Sequence, residues 1–148
     1  RILKEKAAEL GLTIADFARL KDGEDIVKPD GVMVKNEDVT EPPYASRKYA
    51  YCSDTAYYEK IIPHVQGADL MYHESTFLSD LEKRAKDTFH STASQAATIA
   101  KMAEVKQLVL GHYSSRYKTT EAFLEEARPV FRDTETAEDG RTFVVGEQ

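Results

Sequence analysis

The four histidines of this chain fall in one stretch, and three of them lie where a strand or a helix is predicted to end or begin. His73 precedes Glu74 at the end of an apolar run, and His90 precedes a predicted helix. Asp54 and His112 each follow an apolar run. Histidine and carboxylate side chains are the usual ligands of a borderline divalent metal such as zinc. The pattern therefore indicates a metal site, although no single motif holds enough ligands to close one.

Asp54 and His112 each have a structural and a functional interpretation. Asp54 could be a loop acid or a helix N-cap, or it could be a metal ligand that offers two carboxylate oxygens. His112 could be a satisfied loop histidine or a metal ligand. We expect Gly111 to let the backbone turn sharply just before it.

The neighbouring polar residues leave the same choice open. His90 could be a bystander in a capping loop, or a proton donor to a leaving oxygen beside a helix N-terminus that attracts anions. Arg116 could be a surface arginine, or a guanidinium fork that holds a phosphate. For His73 and Glu74 we expect a supporting role, in which a carboxylate orients a neighbouring imidazole.

Tyrosines are numerous and could stack nucleobases. We expect most of them to lie in the core or at its rim, because tyrosine has an apolar ring and a polar tip. The candidates are Tyr44, Tyr49, Tyr51, Tyr57, Tyr58, Tyr113 and Tyr117.

Alternating strands and helices are predicted to position these residues from residue 47 onward. The predicted strands cover 47–54, 68–75, 105–112 and 141–147, and the predicted helices cover 56–65, 79–87, 93–104 and 120–128. We expect Thr55 to cap the first of these helices and Ser91 or Thr92 the third. This alternation indicates an α/β architecture with helices covering a sheet. In such sheets ligands bind beyond the carboxyl ends of the strands, where Asp54 and His112 lie.

Residues 1–46 have a different pattern. A helix is predicted over 1–10 with Gly11 at its C-terminal end, and a second helix over 14–21. Asp30-Gly31 predicts a hairpin turn between two short strands, and 41–43 predicts a stiff extended linker.

Composition narrows the class of protein. A chain of 148 residues is one domain or part of a larger one, and because it begins at Arg1 we expect an excised or internal piece. The net charge of −6 argues against a broad basic surface for nucleic acid. No stretch is apolar enough to cross a membrane. The single cysteine, Cys52, excludes an internal disulfide and indicates a cytoplasmic protein.

Four segments occur in a distinctive order and with distinctive gaps: AYCSDT, ADLMYHESTF, FHSTASQAA and LVLGHYSSRY. Together they closely resemble the C-terminal half of ribonuclease Z, the tRNA 3′-processing endonuclease of the metallo-β-lactamase fold. The resemblance implies half of an αββα sandwich over 47–148. It implies that residues 1–46 are the remainder of a tRNA-binding arm with a hairpin connector.

The resemblance also implies a zinc site. Asp54 resembles the carboxylate that bridges two zinc ions, and His112 resembles the last histidine ligand of that site. Two zinc ions per complete active site would activate a hydroxide for attack on the phosphodiester. The substrate implied is precursor tRNA, and the full-length protein is implied to be a homodimer with no membrane association.

Other roles follow from the same resemblance. His90 resembles the histidine that protonates the leaving 3′ oxygen, and Arg116 resembles the arginine that holds a phosphate. His73 and Glu74 match a supporting loop, with Ser75 where the family usually has alanine.

The chain departs from the family in two respects. The motif His-x-His-x-Asp-His is absent, so only two metal ligands remain, and we expect this chain alone to be inactive and to bind zinc weakly. Residues 1–46 carry more acidic than basic side chains, which argues against strong tRNA clamping. Two alternatives stay open: a related phosphodiesterase or sulfatase acting on small substrates, and a non-catalytic binding domain.

Overall fold

The structure is a computed structural model that describes residues 1–42 and 46–146. It divides the chain into two compact units, Arg1–Ser46 and Arg47–Gln148. Pro43, the last residue of the predicted linker, lies outside the described residues, and so does Tyr44. Among the described residues, no helix combines the length and the apolarity that crossing a bilayer requires.

The first unit packs short elements around a small core. Its elements are α1 (Lys4–Glu9), α2 (Ile14–Lys21), β1 (Ile26–Val27), β2 (Met33–Val34) and α3 (Asn36–Val39). The predicted hairpin is confirmed, since β1 and β2 pair antiparallel around a left-handed Gly31. The predicted second helix is confirmed over its full range and begins with a capping box between Thr13 and Asp16.

The second unit is a parallel sheet with helices. Its elements are β3 (Tyr49–Cys52), α4 (Ile62–Val65), β4 (Leu70–Glu74), α5 (Glu82–Asp87), α6 (Ala93–Met102), β5 (Leu108–Gly111), α7 (Glu121–Ala127) and β6 (Thr134–Thr136). The strands lie in the order β3-β4-β5-β6, and every neighbouring pair is parallel. The predicted α/β class is confirmed.

Helix α6 forms the centre of the core because its sequence places small residues on one face. Ala96, Ile99, Ala100 and Ala103 are fully buried. They share one hydrophobic cluster with Met71 and with residues of β5 and α7. Thr92 caps the helix through a capping box with Gln95, so the predicted cap is confirmed at this residue.

Two predicted elements differ from the structure. The predicted helix over 56–65 is shortened to a 3-10 turn at Glu59–Ile61 followed by α4, and Thr55 does not cap it. The backbone N–H of Thr55 donates instead to the Glu74 carboxylate, and this hydrogen bond holds Thr55 in the loop.

The last strand is not where we predicted it. Residues 141–146 form no strand, and Glu147 lies outside the described residues. The edge strand is β6, which pairs with β5 and buries Thr134 and Thr136. We did not predict β6 because the strand and the residues around it are mostly polar or charged, whereas our prediction relied on apolar runs.

Candidate metal centre and active site

Three side chains of the metal-binding type meet at the carboxyl edge of the four-stranded sheet. Asp54 follows β3, His112 follows β5, and His90 lies in the loop before α6. One ligand atom from each residue lies within 4.8 Å of the others. We call Asp54, His90 and His112 the ligand group.

Left-handed backbone turns place these residues beyond the strands. Asp54 has a φ of 50° and His112 a φ of 59°, and Phe89, which precedes His90, also has a φ of 59°. Non-glycine residues adopt this region at a cost of about 1–3 kcal/mol each, so surrounding contacts must hold the turns in place.

Gly111 has a different role from the one expected. It is not among the residues with left-handed backbone, so the prediction that it makes the turn is wrong, and His112 makes the turn itself. A Cβ atom on Gly111 would overlap the ring of Tyr72 on the neighbouring strand. Glycine is required here for space rather than for its backbone freedom.

Glu74 is a fully buried carboxylate that ties the surrounding loops together. It accepts five hydrogen bonds, from Thr55 N (3.0 Å), Thr76 N (3.1 Å), Thr76 Oγ1 (2.7 Å), His90 Nδ1 (2.8 Å) and Ser91 N (3.2 Å). These donors come from the loop after β3, the loop after β4 and the loop before α6. We call Glu74 and these four donor residues the Glu74 network.

The network sets which nitrogen of His90 is available. Because the Glu74 carboxylate accepts at Nδ1, that nitrogen keeps its hydrogen whether or not the ring is protonated. Nε2 is therefore the nitrogen that gains or loses a proton. It can carry a proton or bind a metal, but it cannot do both at once.

The network reaches His112 through Thr76. The single hydroxyl hydrogen of Thr76 goes to Glu74, so its oxygen accepts at His112 Nδ1 over 2.8 Å. Nε2 of His112 then has a free lone pair, and it lies 3.5 Å from Asp54 Oδ1. This is the arrangement in which an outer hydrogen bond orients a metal-binding imidazole.

The chemistry of the ligand group fits a zinc ion. It offers one carboxylate oxygen and imidazole nitrogens, which are donors that zinc prefers. Asp54 and His112 are also accessible, with side chains 74% and 41% exposed. The rings of His90 and His112 lie 5.2 Å apart between centroids.

Two residues that we predicted for the site are not members of the ligand group. His73 is buried, its Nδ1 contacts its own chain at Glu74 O over 2.7 Å, and its Nε2 has no partner among the described atoms. Burial lowers the pKa of His73, so the ring is held neutral. Arg116 is exposed, and its guanidinium has no hydrogen bond or ion pair within the described chain.

Thr55 and Ser91 were predicted only as candidate helix caps, and sequence reasoning missed that both of them, together with Thr76, donate to Glu74. The available signal was weak. Thr76 stands two residues after an acid, a spacing typical of a side chain that folds back on its own loop.

The tyrosines divide between core and surface. Tyr113 and Tyr117 pack against Phe123, and burial raises the pKa of Tyr113 well above its usual value. Tyr51 is exposed and stacks on Tyr72 with ring centroids 4.7 Å apart.

Comparisons with known proteins identify the family of this chain. The profile of the beta-lactamase superfamily domain matches residues 39–113. Ribonuclease Z of Porphyromonas gingivalis is 46% identical over 140 residues, which cover 94% of this chain and 46% of that protein. Ribonuclease Z of Cytophaga hutchinsonii is 44% identical over 149 residues, covering 100% of this chain and 47% of that protein. The chain thus spans about half the length of the curated relatives it matches, and the resemblance to ribonuclease Z is confirmed.

Solved structures give the same fold. The metallo-beta-lactamase fold protein YhfI from Bacillus subtilis matches with a TM-score of 0.61 at 28% identity, over 65% of this chain and 39% of that one. A long form RNase Z from yeast matches with a TM-score of 0.59 at 20% identity, over 89% of this chain and 19% of that one. The predicted metallo-β-lactamase fold is confirmed.

Proposed function

Because the chain belongs to the beta-lactamase superfamily and is similar to ribonuclease Z over nearly its whole length, we propose that it forms the C-terminal half of a zinc-dependent endoribonuclease. The complete enzyme removes the 3′ trailer from precursor tRNA in the cytoplasm. Residues 1–46 belong to its tRNA-binding arm and connector, and 47–148 to its catalytic domain.

Asp54 and His112 hold zinc in the complete protein, with two ions per active site and further ligands from outside this chain. When bound, zinc acts as a Lewis acid and lowers the pKa of a bound water. Arg116 holds a phosphate of the RNA, since its guanidinium has no partner among the residues that the structure describes and matches phosphate oxygens bidentately.

His90 delivers the proton to the leaving 3′ oxygen. Its Nδ1 donates to the Glu74 carboxylate, which orients the ring and leaves Nε2 as the nitrogen that can hand on a proton. The hydrogen bond of 2.8 Å between His90 and Glu74, beside the Asp54–His112 pair, is the observation that carries this proposal.

The decisive test is His90→Ala in the complete protein. We expect cleavage of a precursor tRNA to fall by about 10²–10⁴-fold with zinc content unchanged. His64→Ala is the matched control, because His64 is an exposed histidine on α4 outside the ligand group. Loss of zinc in the His90 variant would contradict the proton-donor role and make His90 a ligand.

Zinc binding to this chain alone is a second test. We expect weak binding, because the ligand group offers at most three donors and a dinuclear site needs about three protein ligands per metal. We also expect no RNA cleavage by the chain alone. Isothermal titration with zinc checks the first point, and a nanomolar dinuclear site would contradict it.

The two alternatives are separated by substrate. If the complete protein hydrolyses bis(p-nitrophenyl) phosphate and leaves precursor tRNA intact, a small-substrate phosphodiesterase replaces the ribonuclease. If it binds RNA and cleaves neither, the chain belongs to a binding domain.

We also propose that the complete protein is a homodimer and that this chain alone self-associates through one sheet face. The exposed rings of Tyr49 and Tyr51 on β3 support self-association. Sedimentation at micromolar concentration tests it, and a monomer would contradict it.

A further inference from the structure

A cavity of about 610 Å³ lies beside His90, and neither Asp54 nor His112 lines it. Its lining includes Tyr57, Lys83, Lys86 and His90. This volume lies in the range of small-molecule pockets. His90 is the one residue shared by the cavity lining and the ligand group. A molecule in the cavity therefore lies next to the reacting atoms.

The lining of the cavity carries a net positive charge, from two lysines and one acid. Lys83 and Lys86 are three residues apart on α5, so both lie on the same face of that helix. Neither forms an ion pair with any residue that the structure describes. The acid that lines the cavity is Glu82, and its carboxylate accepts a hydrogen bond from Gln95 Nε2 over 3.2 Å. Two free ammonium groups in a chain of net charge −6 point to an anionic ligand.

Tyr57 adds an aromatic surface to the same cavity. Its ring packs partly against the hydrophobic core, and its hydroxyl donates to Glu59 Oε1 over 2.8 Å. Both contacts hold the ring in place at the cavity wall. Aromatic rings of this kind stack nucleobases regardless of sequence.

The lysines match a phosphate, the Tyr57 ring matches a base, and His90 matches a leaving oxygen. A nucleotide carries all three groups. We infer that this cavity binds the nucleotide whose 3′ oxygen is the leaving group, with its 5′ phosphate at Lys83 and Lys86 and its base against Tyr57. The inference rests on the proposed function, because the role of His90 places the leaving oxygen beside its ring. The cavity thus holds the last nucleotide of the mature RNA.

Adenosine 3′,5′-bisphosphate is the probe for this site, because it carries one phosphate for the lysines and one for the His90 side. Isothermal titration of the chain should give binding that weakens by at least about tenfold in the double variant Lys83→Ala/Lys86→Ala, which corresponds to about 1.4 kcal/mol. Arg84→Ala is the matched control. Arg84 is exposed on the same helix and carries the same charge, but it does not line the cavity.

The variant Tyr57→Leu distinguishes the contribution of the base to binding from the contribution of the phosphate. It should weaken the bisphosphate by several-fold while binding of inorganic phosphate stays unchanged. Equal affinity in the double variant and in Arg84→Ala would overturn the inference, and so would no binding at millimolar probe. If a variant unfolds, as judged by circular dichroism, Lys83→Gln/Lys86→Gln takes its place.

The outcome is independent of RNA cleavage. If the complete protein cleaves precursor tRNA but the lysines do not affect bisphosphate binding, the nucleotide site is wrong and the proposed function stands. If the lysines hold the bisphosphate but no RNA is cut, the proposed function is wrong and the cavity remains a nucleotide site.

Discussion

The Glu74 network and the ligand group are neighbours with opposite surroundings. Glu74 is fully buried and accepts five hydrogen bonds, whereas Asp54 and His112 are largely exposed and have few protein partners. His90 belongs to both groups, so the contrast holds between Glu74 on one side and Asp54 and His112 on the other. Substitutions at these positions should therefore separate stability from metal binding.

Strain explains why the two regions occur together. The exposed residues follow or occupy left-handed turns that a loop alone would not retain. A buried carboxylate is costly unless it is fully hydrogen-bonded, and here its donors come from those same loops. Each region therefore compensates for a cost of the other.

Glu74→Ala should have the largest effect on stability. It leaves the buried backbone donors of Thr76 and Ser91 without partners, each at about 1–3 kcal/mol, so we expect a loss of about 3–5 kcal/mol in unfolding free energy. Urea unfolding measures it. Glu125→Ala, at an exposed site on α7, should change the same quantity by less than about 0.5 kcal/mol. If Glu74→Ala and Glu125→Ala lost similar amounts of unfolding free energy, the conclusion that Glu74 stabilises the fold would be wrong.

Thr76→Val should have an intermediate effect, because it removes the hydroxyl that links Glu74 to His112 and keeps the shape of the side chain. We expect a loss of about 1–3 kcal/mol in unfolding free energy. The His112 ring should also no longer be held in one tautomer, which ¹⁵N chemical shifts of the ring report. Thr76→Ser keeps both hydrogen bonds and should resemble the parent protein in both measurements. An unchanged His112 spectrum in Thr76→Val would disprove the relay.

Acid should destabilise the chain through His73, on the opposite face of β4 from Glu74. Burial holds the pKa of His73 below its ordinary value of 6.5, so as pH falls below about 6.5 the unfolded chain takes up a proton that the folded chain does not. Unfolding free energy should fall by at most about 1.4 kcal/mol per pH unit from this residue. His73→Gln should flatten the profile between pH 6.5 and 5, whereas His64→Gln should not. Parallel profiles for both variants would count against a buried neutral ring.

Asp54→Asn should have the smallest effect on stability. Asparagine tolerates left-handed backbone, and Asp54 is exposed, so unfolding free energy should change by less than about 0.5 kcal/mol. Zinc affinity, measured by titration, should nevertheless fall because the carboxylate is gone. Asp54→Val should cost more stability, since a β-branched residue fits this turn poorly. A large loss of unfolding free energy in Asp54→Asn would mean that Asp54 stabilises the fold as the Glu74 network does.

The sequence was sufficient for features set by local chemistry. Apolar runs predicted β3, β4 and β5, and with them the edge at which Asp54 and His112 meet. Ser91 or Thr92 was predicted to cap the helix over 93–104, and Thr92 caps α6. These features depend on residues close together in the chain.

Features set by distant partners were missed. Thr134 and Thr136 form a strand because their backbone pairs with β5. The apolar residues 143–145 pair with no strand that the structure describes. A supporting role was predicted for Glu74, but the donors that surround it escaped notice for the same reason. These donors come from three loops far apart in sequence. Two of the donor residues contribute only backbone N–H groups, which almost any residue type could supply.

The close approach of Gly111 and Tyr72 constrains how the two positions can vary. Because a Cβ atom at 111 would overlap the ring of Tyr72, a single replacement there should force that ring to move and should lower the unfolding free energy. The same replacement should cost less alongside a small residue at 72. Combinatorial libraries built around the site should therefore diversify both codons together.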